Sequence, residues 1–525
     1  MRQDGYKCAL KQHEENFNGK PASYSGVNAL VPRPRKHIEG NALCSIAESF
    51  FIEHTYPKCF ILIDALKVFN KRLLMRRQQR SYGEVETLHI NTMTIVIKDG
   101  CDESENKLWP SEYMDESHKI SILDEKIEIE CNEVWGALHA LQSIIQLVHR
   151  SKSGSLVIHE DIIEDAPRFI HRGFLVDTAK HYINVDEIVK FIDAMAVVKM
   201  NVFHWHMTDD SSFPYVSSTY PRLSREGAYH PRKLVYENED VVRVIEYARL
   251  RGIRVMVEFD TPSHTKSWEK SYRGMRTKCS SGSQLGPFNP ARENNFKILK
   301  AFFREVTSVF PEAYIHLGGN DVSFSCWESN AGISDFMKLK KFGDDYGKLE
   351  SYYFDRLIEV IQSVQPEGHV ITPVVSNEVF HNGYRPNKTI VMHVWQGINW
   401  PNIVKSITSA GYRVIVSACW QISPSNHANR WYDYHKCDIG AFEGTEEEQK
   451  LVIGGEAVVS GENVDDTNLF TRAWPEGAVI ADRLWSHDQS TIVEMKQILD
   501  ELRCHMRELG FKVKPLDEPK SCLQP

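Results

Sequence analysis

Nowhere does this chain run to about 18 consecutive apolar residues, so no membrane-spanning helix is expected. Positive charge is not in excess either. The net charge is −9 and the pI about 6.2, which gives no reason to expect nucleic acid as a partner. No glycine-rich phosphate loop follows any strand-like segment, which argues against a doubly wound sheet. The opening residues, Met1 to Cys8, lack the apolar core of a secretory signal. Eleven cysteines nevertheless suit an oxidising compartment, so the expectation is a signal missing from this sequence rather than a cytosolic protein.

What is present is an ordinary globular composition, 42% hydrophobic and 25% charged, over 525 residues. That length suits two domains. Residues 1–40 are polar, contain Pro32-Arg33-Pro34-Arg35, and read as an extended or poorly ordered lead-in. Residues 41–165 read as an α+β module without evident chemistry. His89–Ile97 and Lys119–Leu123 have the period of two of half-buried strands, and Trp135 to Val148 has helical spacing. From 166 to 525 apolar strands alternate with amphipathic helices. The strands expected are Phe174–Asp177, Asn201–His206, Arg254–Asp260, Tyr314–Gly318, Val370–Ser376, Ile390–Trp395, Arg413–Ser417 and Ala457–Gly461. Eight strands in βα order predict a TIM barrel.

In such a barrel the strand ends share one face, and polar residues gather there. Asp177, Lys180, His204, His206, Asp209, Asp210, Glu258, Asp260, His264, His316, Asn320, Asp321, Glu378, Glu456 and Glu462 all fall near strand ends. One such residue is more often structural than catalytic; convergence from seven strands makes the group a candidate site. Trp205, Trp395 and Trp420 suit a carbohydrate, whose apolar ring face stacks on indole, although Trp also simply fills barrel mouths. His204, His206 and Asp209 are metal-ligand types, but no thiolate or supporting set accompanies them. Neither a metal nor a cofactor is expected.

The stretch His316-Leu317-Gly318-Gly319-Asn320-Asp321-Val322 is a buried strand ending in two glycines and a polar pair. It resembles the signature of glycoside hydrolase family 20, the β-N-acetylhexosaminidases, in which that pair is Asp-Glu. Further motifs carry the resemblance from about Cys44 to Cys522, among them Pro167–Gly173, Asp177–Tyr182, Asn201–His206, Glu258–Thr265 and Gly454–Ala457. Within the family the chain looks most like the lysosomal hexosaminidase subunits. The resemblance implies substrate-assisted chemistry, an exception to the usual two-carboxylate scheme. The substrate's own 2-acetamido oxygen attacks the anomeric carbon, an Asp orients the acetamido N–H, and the neighbouring Glu protonates the leaving oxygen.

Carried over by position, the sugar-binding residues are Asp209, His264, Trp395 and Glu462, which keep the family's types. Lys180 stands for an Arg, Gln421 for the Tyr that steadies the acetamido oxygen, and Ser376 and Ser460 for pocket Trp residues. The catalytic pair is Asn320-Asp321. Lys180 keeps the charge but loses a bidentate fork. Asn320 cannot supply a negative charge, a loss on the order of 3 kcal/mol. Asp321 is shorter than Glu by about 1.5 Å, and a misplacement of about 1 Å can cost roughly a hundredfold in rate. Two Trp-to-Ser changes admit water. Hydrolysis is therefore expected to be very slow or absent. The competing expectations are a working exo-β-N-acetylhexosaminidase with Asp321 as acid, and a barrel kept purely as a scaffold.

The resemblance also implies disulfides Cys44–Cys101, Cys279–Cys326 and Cys504–Cys522, leaving Cys8, Cys59, Cys131, Cys419 and Cys437 unpaired. The sequon Asn387-Lys388-Thr389 fits a secretory route. The expected location is lysosomal or extracellular, the expected ligands are N-acetylhexosamine-containing glycans, and the expected partner is a second subunit, identical or paralogous.

Overall fold

The computed structural model describes residues 20–21, 30–77, 89–151, 154–280, 284–422, 430–516 and 522. Most of the polar lead-in lies outside them. A seven-stranded sheet comes first, built from β1 (Lys20–Pro21), β2 (Lys36–Glu53), β3 (His89–Ile97), β4 (His118–Leu123), β5 (Lys126–Cys131), β6 (His149–Arg150) and β7 (Leu156–Asp165). Its order is β1-β2-β3-β5-β4-β7-β6, with β2 also paired to β7. Alternation decides which face is buried: Ile127 and Ile129 of β5 are fully buried, while Glu128 and Glu130 point to water. The expected helix is present as Val134–Leu147. A second, Phe60–Arg77, was not expected. Its buried Leu62, Leu66, Phe69 and Leu73 share one face at i, i+4, i+7 and i+11, but exposed Phe60, Leu74 and Met75 blur that stripe in the sequence.

A closed eight-stranded parallel barrel follows, as predicted. Its strands are β8 (His171–Asp177), β9 (Val202–Thr208), β10 (Arg254–Thr261), β13 (Tyr314–Gly318), β14 (Thr372–Ser376), β15 (Val391–Val394), β16 (Arg413–Val416) and β17 (Val452–Val459); the short pair β11 (Arg276–Lys278) and β12 (Leu285–Phe288) lies outside it. The expected last strand, Ala457–Gly461, begins five residues too late. Gly454-Gly455 looks like a turn in sequence, yet Gly454 sits in the strand with φ 148°, and a Cβ there would lie 1.8 Å from the His171 carbonyl oxygen. The glycine lets β17 close on β8.

The sheet docks on the amino ends of the barrel strands through buried ion pairs. Arg172 reaches Glu116, and Lys199 Nζ lies 2.6 Å from Asp165, which also accepts from Trp485 Nε1 at 2.8 Å. Glu116 further accepts from Asn201 at 3.2 Å and meets His139 at 2.8 Å.

Two inherited pairings hold, Cys279–Cys326 and Cys504–Cys522. The third is corrected. Cys101 pairs with Cys59, which the unexpected helix carries to it, while Cys44 is disulfide-bonded elsewhere. Cys419 and Cys437, expected to be unpaired, form a fourth bridge closing an 18-residue loop. Cys131 is free and buried, as expected, and Cys8 lies outside the described residues.

Candidate active site

The strand-end residues converge at the mouth of the barrel, and the local backbone explains how. After β13 the chain turns through three consecutive departures from ordinary conformation: Gly318 at φ 80°, Gly319 at φ 100° and, after Asn320, Asp321 at φ 54°. A Cβ on Gly318 would sit 1.8 Å from Asp260 Oδ1, so only glycine lets β13 pass that carboxyl group. The turn presents Asn320 beside Asp260 and leaves 62% of the Asp321 side chain in solvent.

Asp209 is the electrostatic centre. Its carboxylate meets Lys180 Nζ at 3.0 Å, His264 Nδ1 at 3.2 Å and His206 Nε2 at 3.5 Å. Burial alone would raise its pKa, but the nearby His206 and the hydrogen-bonded His264 outweigh burial and hold it far below the usual carboxylate range. Lys180 also contacts Asp177 Oδ2 at 2.9 Å and Glu462 Oε1 at 3.5 Å. Burial disfavours its ammonium, and the fields of Asp177 and Asp209 more than offset that, so it stays charged. His264 runs from Asp209 to Asp321, with Nε2 3.5 Å from Asp321 Oδ2. Burial works against its charge too, but Asp209 and Asp321 raise its pKa to about 11.

That histidine fixes the state of Asp321. The His264 imidazolium, 3.5 Å away, is the largest influence on it and lowers its pKa, so Asp321 is a carboxylate. Its backbone N–H donates to Glu378 Oε2 at 2.8 Å, and Gln396 Nε2 donates to Glu378 Oε1 at 2.6 Å. Burial raises the Glu378 pKa. Asp260, fully buried, is also raised by burial, against the opposing field of His264.

Asn320 is held between two neighbours. Its Nδ2 donates to Asp260 Oδ2 at 3.0 Å, and its Oδ1 accepts from Ser376 Oγ at 2.8 Å. Asn320 and Ser376 therefore satisfy each other. Ser460 Oγ likewise bonds Glu462. Gln421 donates to the Trp395 carbonyl at 3.3 Å, and the Trp395 indole N–H has no partner among the described residues.

Not every expected residue reaches the mouth. Trp205 and Trp420 are fully buried, bonded to Thr178 Oγ1 at 2.9 Å and the Tyr434 carbonyl at 3.2 Å, so neither offers a ring face to a sugar. His204, His316, Glu258 and Glu456 point into the barrel interior. Among the described residues Asp177, His206 and Asp209 have ligand atoms close enough for a metal ion, but the Lys180 ammonium already lies against Asp177 and Asp209. Sequence reasoning gave no role to Asp260 or Glu378 and overlooked Gln396. Asp260 had a signal, its i,i+4 spacing to His264; Gln396, beyond a strand end, had none.

These features agree with what the chain is similar to. The family model described as glycosyl hydrolase family 20, catalytic domain, matches residues 169–488, and one described as beta-acetyl hexosaminidase like matches residues 13–147. The chain is 39% identical over 470 residues to the Bos taurus beta-hexosaminidase subunit alpha, covering 87% of each. It is 38% identical over 505 residues to the Homo sapiens beta-hexosaminidase subunit beta, covering 93% of this chain and 88% of that one. The structure of the Flavobacterium johnsoniae chitobiase shares the fold, with TM-score 0.79 at 24% identity over 92% of this chain and 73% of that one. A parallel barrel whose mouth carries this carboxylate and histidine set, matched along its length, places the chain in glycosyl hydrolase family 20.

Proposed function

We propose that this protein binds terminal β-N-acetylhexosaminides at the barrel mouth but hydrolyses them very slowly or not at all, acting as a glycan binder or as the non-catalytic partner of an active subunit. In this reading Asp209, Lys180 and Glu462 bind sugar hydroxyls, Trp395 stacks on the ring, His264 supports Asp209, Gln421 faces the acetamido oxygen, and Asn320-Asp321 occupy the catalytic positions. One observation carries the argument. A general acid must hold its proton at the working pH, whereas Asp321 is kept ionised by His264. Asn320 adds no charge to stabilise a cyclic intermediate, and its amide is engaged by Asp260 and Ser376.

A location in the lysosome or outside the cell, with glycosylation at the exposed Asn387, follows the resemblance and the four described disulfides. Dimerisation with itself or a paralogue is proposed on the same ground. The second reading, a working exo-enzyme, draws on the continuous Asp209–His264–Asp321 line.

Purified protein assayed on chromogenic β-N-acetylglucosaminide and β-N-acetylgalactosaminide across acidic and neutral pH separates the two. Turnover near that of an ordinary family member overturns the first reading. Calorimetry with N-acetylglucosamine and chitobiose then tells a binder, which releases heat on titration, from a barrel kept as a scaffold.

A further inference from the structure

Below the mouth, imidazoles and carboxylates alternate along the barrel interior. His171 Nε2 lies 2.7 Å from Glu456 Oε1, and Glu456 Oε2 lies 2.7 Å from His204 Nδ1. His204 Nε2 is 3.1 Å from Glu258 Oε2, and His206 Nδ1 is 2.7 Å from the same oxygen. His206 Nε2 then faces Asp209 Oδ2 at 3.5 Å. A side branch leaves the other oxygen of Glu258 for His316 Nδ1 at 2.8 Å, and continues through His393 to Ser417. All of these residues are buried.

At His204 and His206 one ring nitrogen is hydrogen-bonded to a carboxylate, and the other faces a second carboxylate at ion-pair distance. A neutral imidazole donates from one nitrogen and presents a lone pair at the other. His206 has a carboxylate at both nitrogens, so its neutral form would aim a lone pair at Glu258 or at Asp209, and only the imidazolium suits both. The same holds for His204 between Glu456 and Glu258. The two imidazolium ions then lie among three buried carboxylates, Glu456, Glu258 and Asp209, the last also paired with Lys180, an arrangement that a low-dielectric interior tolerates.

We propose that His206 and Glu258 are positioning residues for the carbohydrate site: Glu258 holds His206 as an imidazolium, and His206 in turn holds Asp209 ionised and aimed at the sugar. The proposal rests on the sugar-binding role assigned above to Asp209. It makes ligand binding depend on a carboxylate that never touches the ligand. Burial opposes the charge on His206, yet Glu258, Asp209 and Asp177 raise its pKa well above that of free histidine. Glu258 is held well below the usual range, against burial, by His316, His206 and His204. The other groups facing Asp209 are Lys180 and His264, which remain when His206 is lost, so the effect is partial rather than total.

The test uses the full chain and N-acetylglucosamine as probe. In the wild type, ring nitrogen NMR shows His206 doubly protonated through pH 8, and calorimetric affinity is flat between pH 5 and 8. In Glu258→Gln the ring titrates near neutrality, and affinity falls roughly tenfold from pH 5 to pH 8. His206→Gln weakens binding at both pH values without that slope. A His206 ring that titrates near 6.5 in the wild type overturns the proposal, and that measurement needs no variant to fold. Equal losses at both pH values in Glu258→Gln, with the His206 ring still charged, also overturn it. If the wild type binds no N-acetylglucosamine at any pH, the binding function fails, while the ring titration still decides whether Glu258 holds His206 charged.

Discussion

At the amino ends of the barrel strands, Arg172 with Glu116 and Lys199 with Asp165 are ion-paired and almost wholly buried. At the carboxyl ends, Asp321 and Glu462 leave 62% and 56% of their side chains in solvent, and Lys180 is spread over three carboxylates. The charges of the junction have fixed partners from the neighbouring domain. Those of the mouth are paired with one another and remain open to solvent. If Lys180, Asn320, Asp321, Ser376, Gln421 and Ser460 are altered as the resemblance implies, all six lie near the mouth, where a lost contact with ligand costs the fold little. The junction has no such freedom, because an unpaired buried charge is expensive.

The harshest test of that contrast is Arg172→Met. It strands Glu116, whose pKa is lowered to about 2, against burial, chiefly by the field of Arg172 and the contact with His139. Removing one partner of a buried pair costs about 3–5 kcal/mol, read as a drop in the urea midpoint. Lys180→Met takes the ammonium from the buried Asp177 and Asp209, but Asp209 keeps His206 and His264 and the site is open to water, so the loss should be smaller, about 1–3 kcal/mol. Equal losses would break the comparison.

Acid sharpens it next. His118 at the junction is held neutral by burial and by the nearby Lys199, which lower its pKa to about 3. Its unfolded form takes up a proton near 6.5, so the stability it contributes is present above that pH and is lost as pH falls towards 3. Between pH 7 and 5 that loss approaches ~2 kcal/mol. His264 at the mouth has the opposite sign. Its raised pKa contributes stability that is complete below 6.5 and lost as pH rises towards about 11. Unfolding midpoints of the wild type and His118→Phe across this range should converge at low pH. Parallel curves would remove the junction as the acid-sensitive element.

Much of this was legible in the sequence, and the failures are physical. Strands with a clear period of two or a continuous apolar run were found, and with them the barrel and its mouth. The helix Phe60–Arg77 was not, because exposed Phe60, Leu74 and Met75 blur its buried stripe, and missing it misassigned the partner of Cys101. Trp205 and Trp420 lie near strand ends like Trp395, yet burial is set by packing across the barrel, which linear spacing does not record. The Asn320–Ser376 bond joins residues 56 apart and was equally invisible. Chemistry was legible where residue types alone limit it, as in the missing charge at 320. The ionised state of Asp321 needed the position of His264.

A smaller change is expected at the pair that the proposed function puts at the catalytic positions. Asn320→Asp with Asp321→Glu should raise turnover of a chromogenic N-acetylglucosaminide by no more than about tenfold, since losses within one cooperating site are not restored singly. Ser376, Ser460 and Gln421 would still leave the acetamide unwalled. A rise of about a thousandfold, the value of one preorganised electrostatic group, would mean that the pair alone was lost.

The smallest effect belongs to Ser376→Ala. The hydroxyl is buried and donates to Asn320, so its removal deletes one neutral hydrogen bond, worth about 1 kcal/mol of stability. Asn320 keeps its bond to Asp260, and the side chain stays in place. If the mouth binds sugar through Asp209, Lys180 and Glu462, calorimetric affinity for N-acetylglucosamine should change by less than roughly fivefold, because none of those three touches Ser376. A much larger loss would mean that the bond between the two altered positions is itself part of the ligand's seat. The mouth would then be a rebuilt site rather than a relaxed one, and its likeness to the rigid junction would be closer than the exposure of its carboxylates suggests.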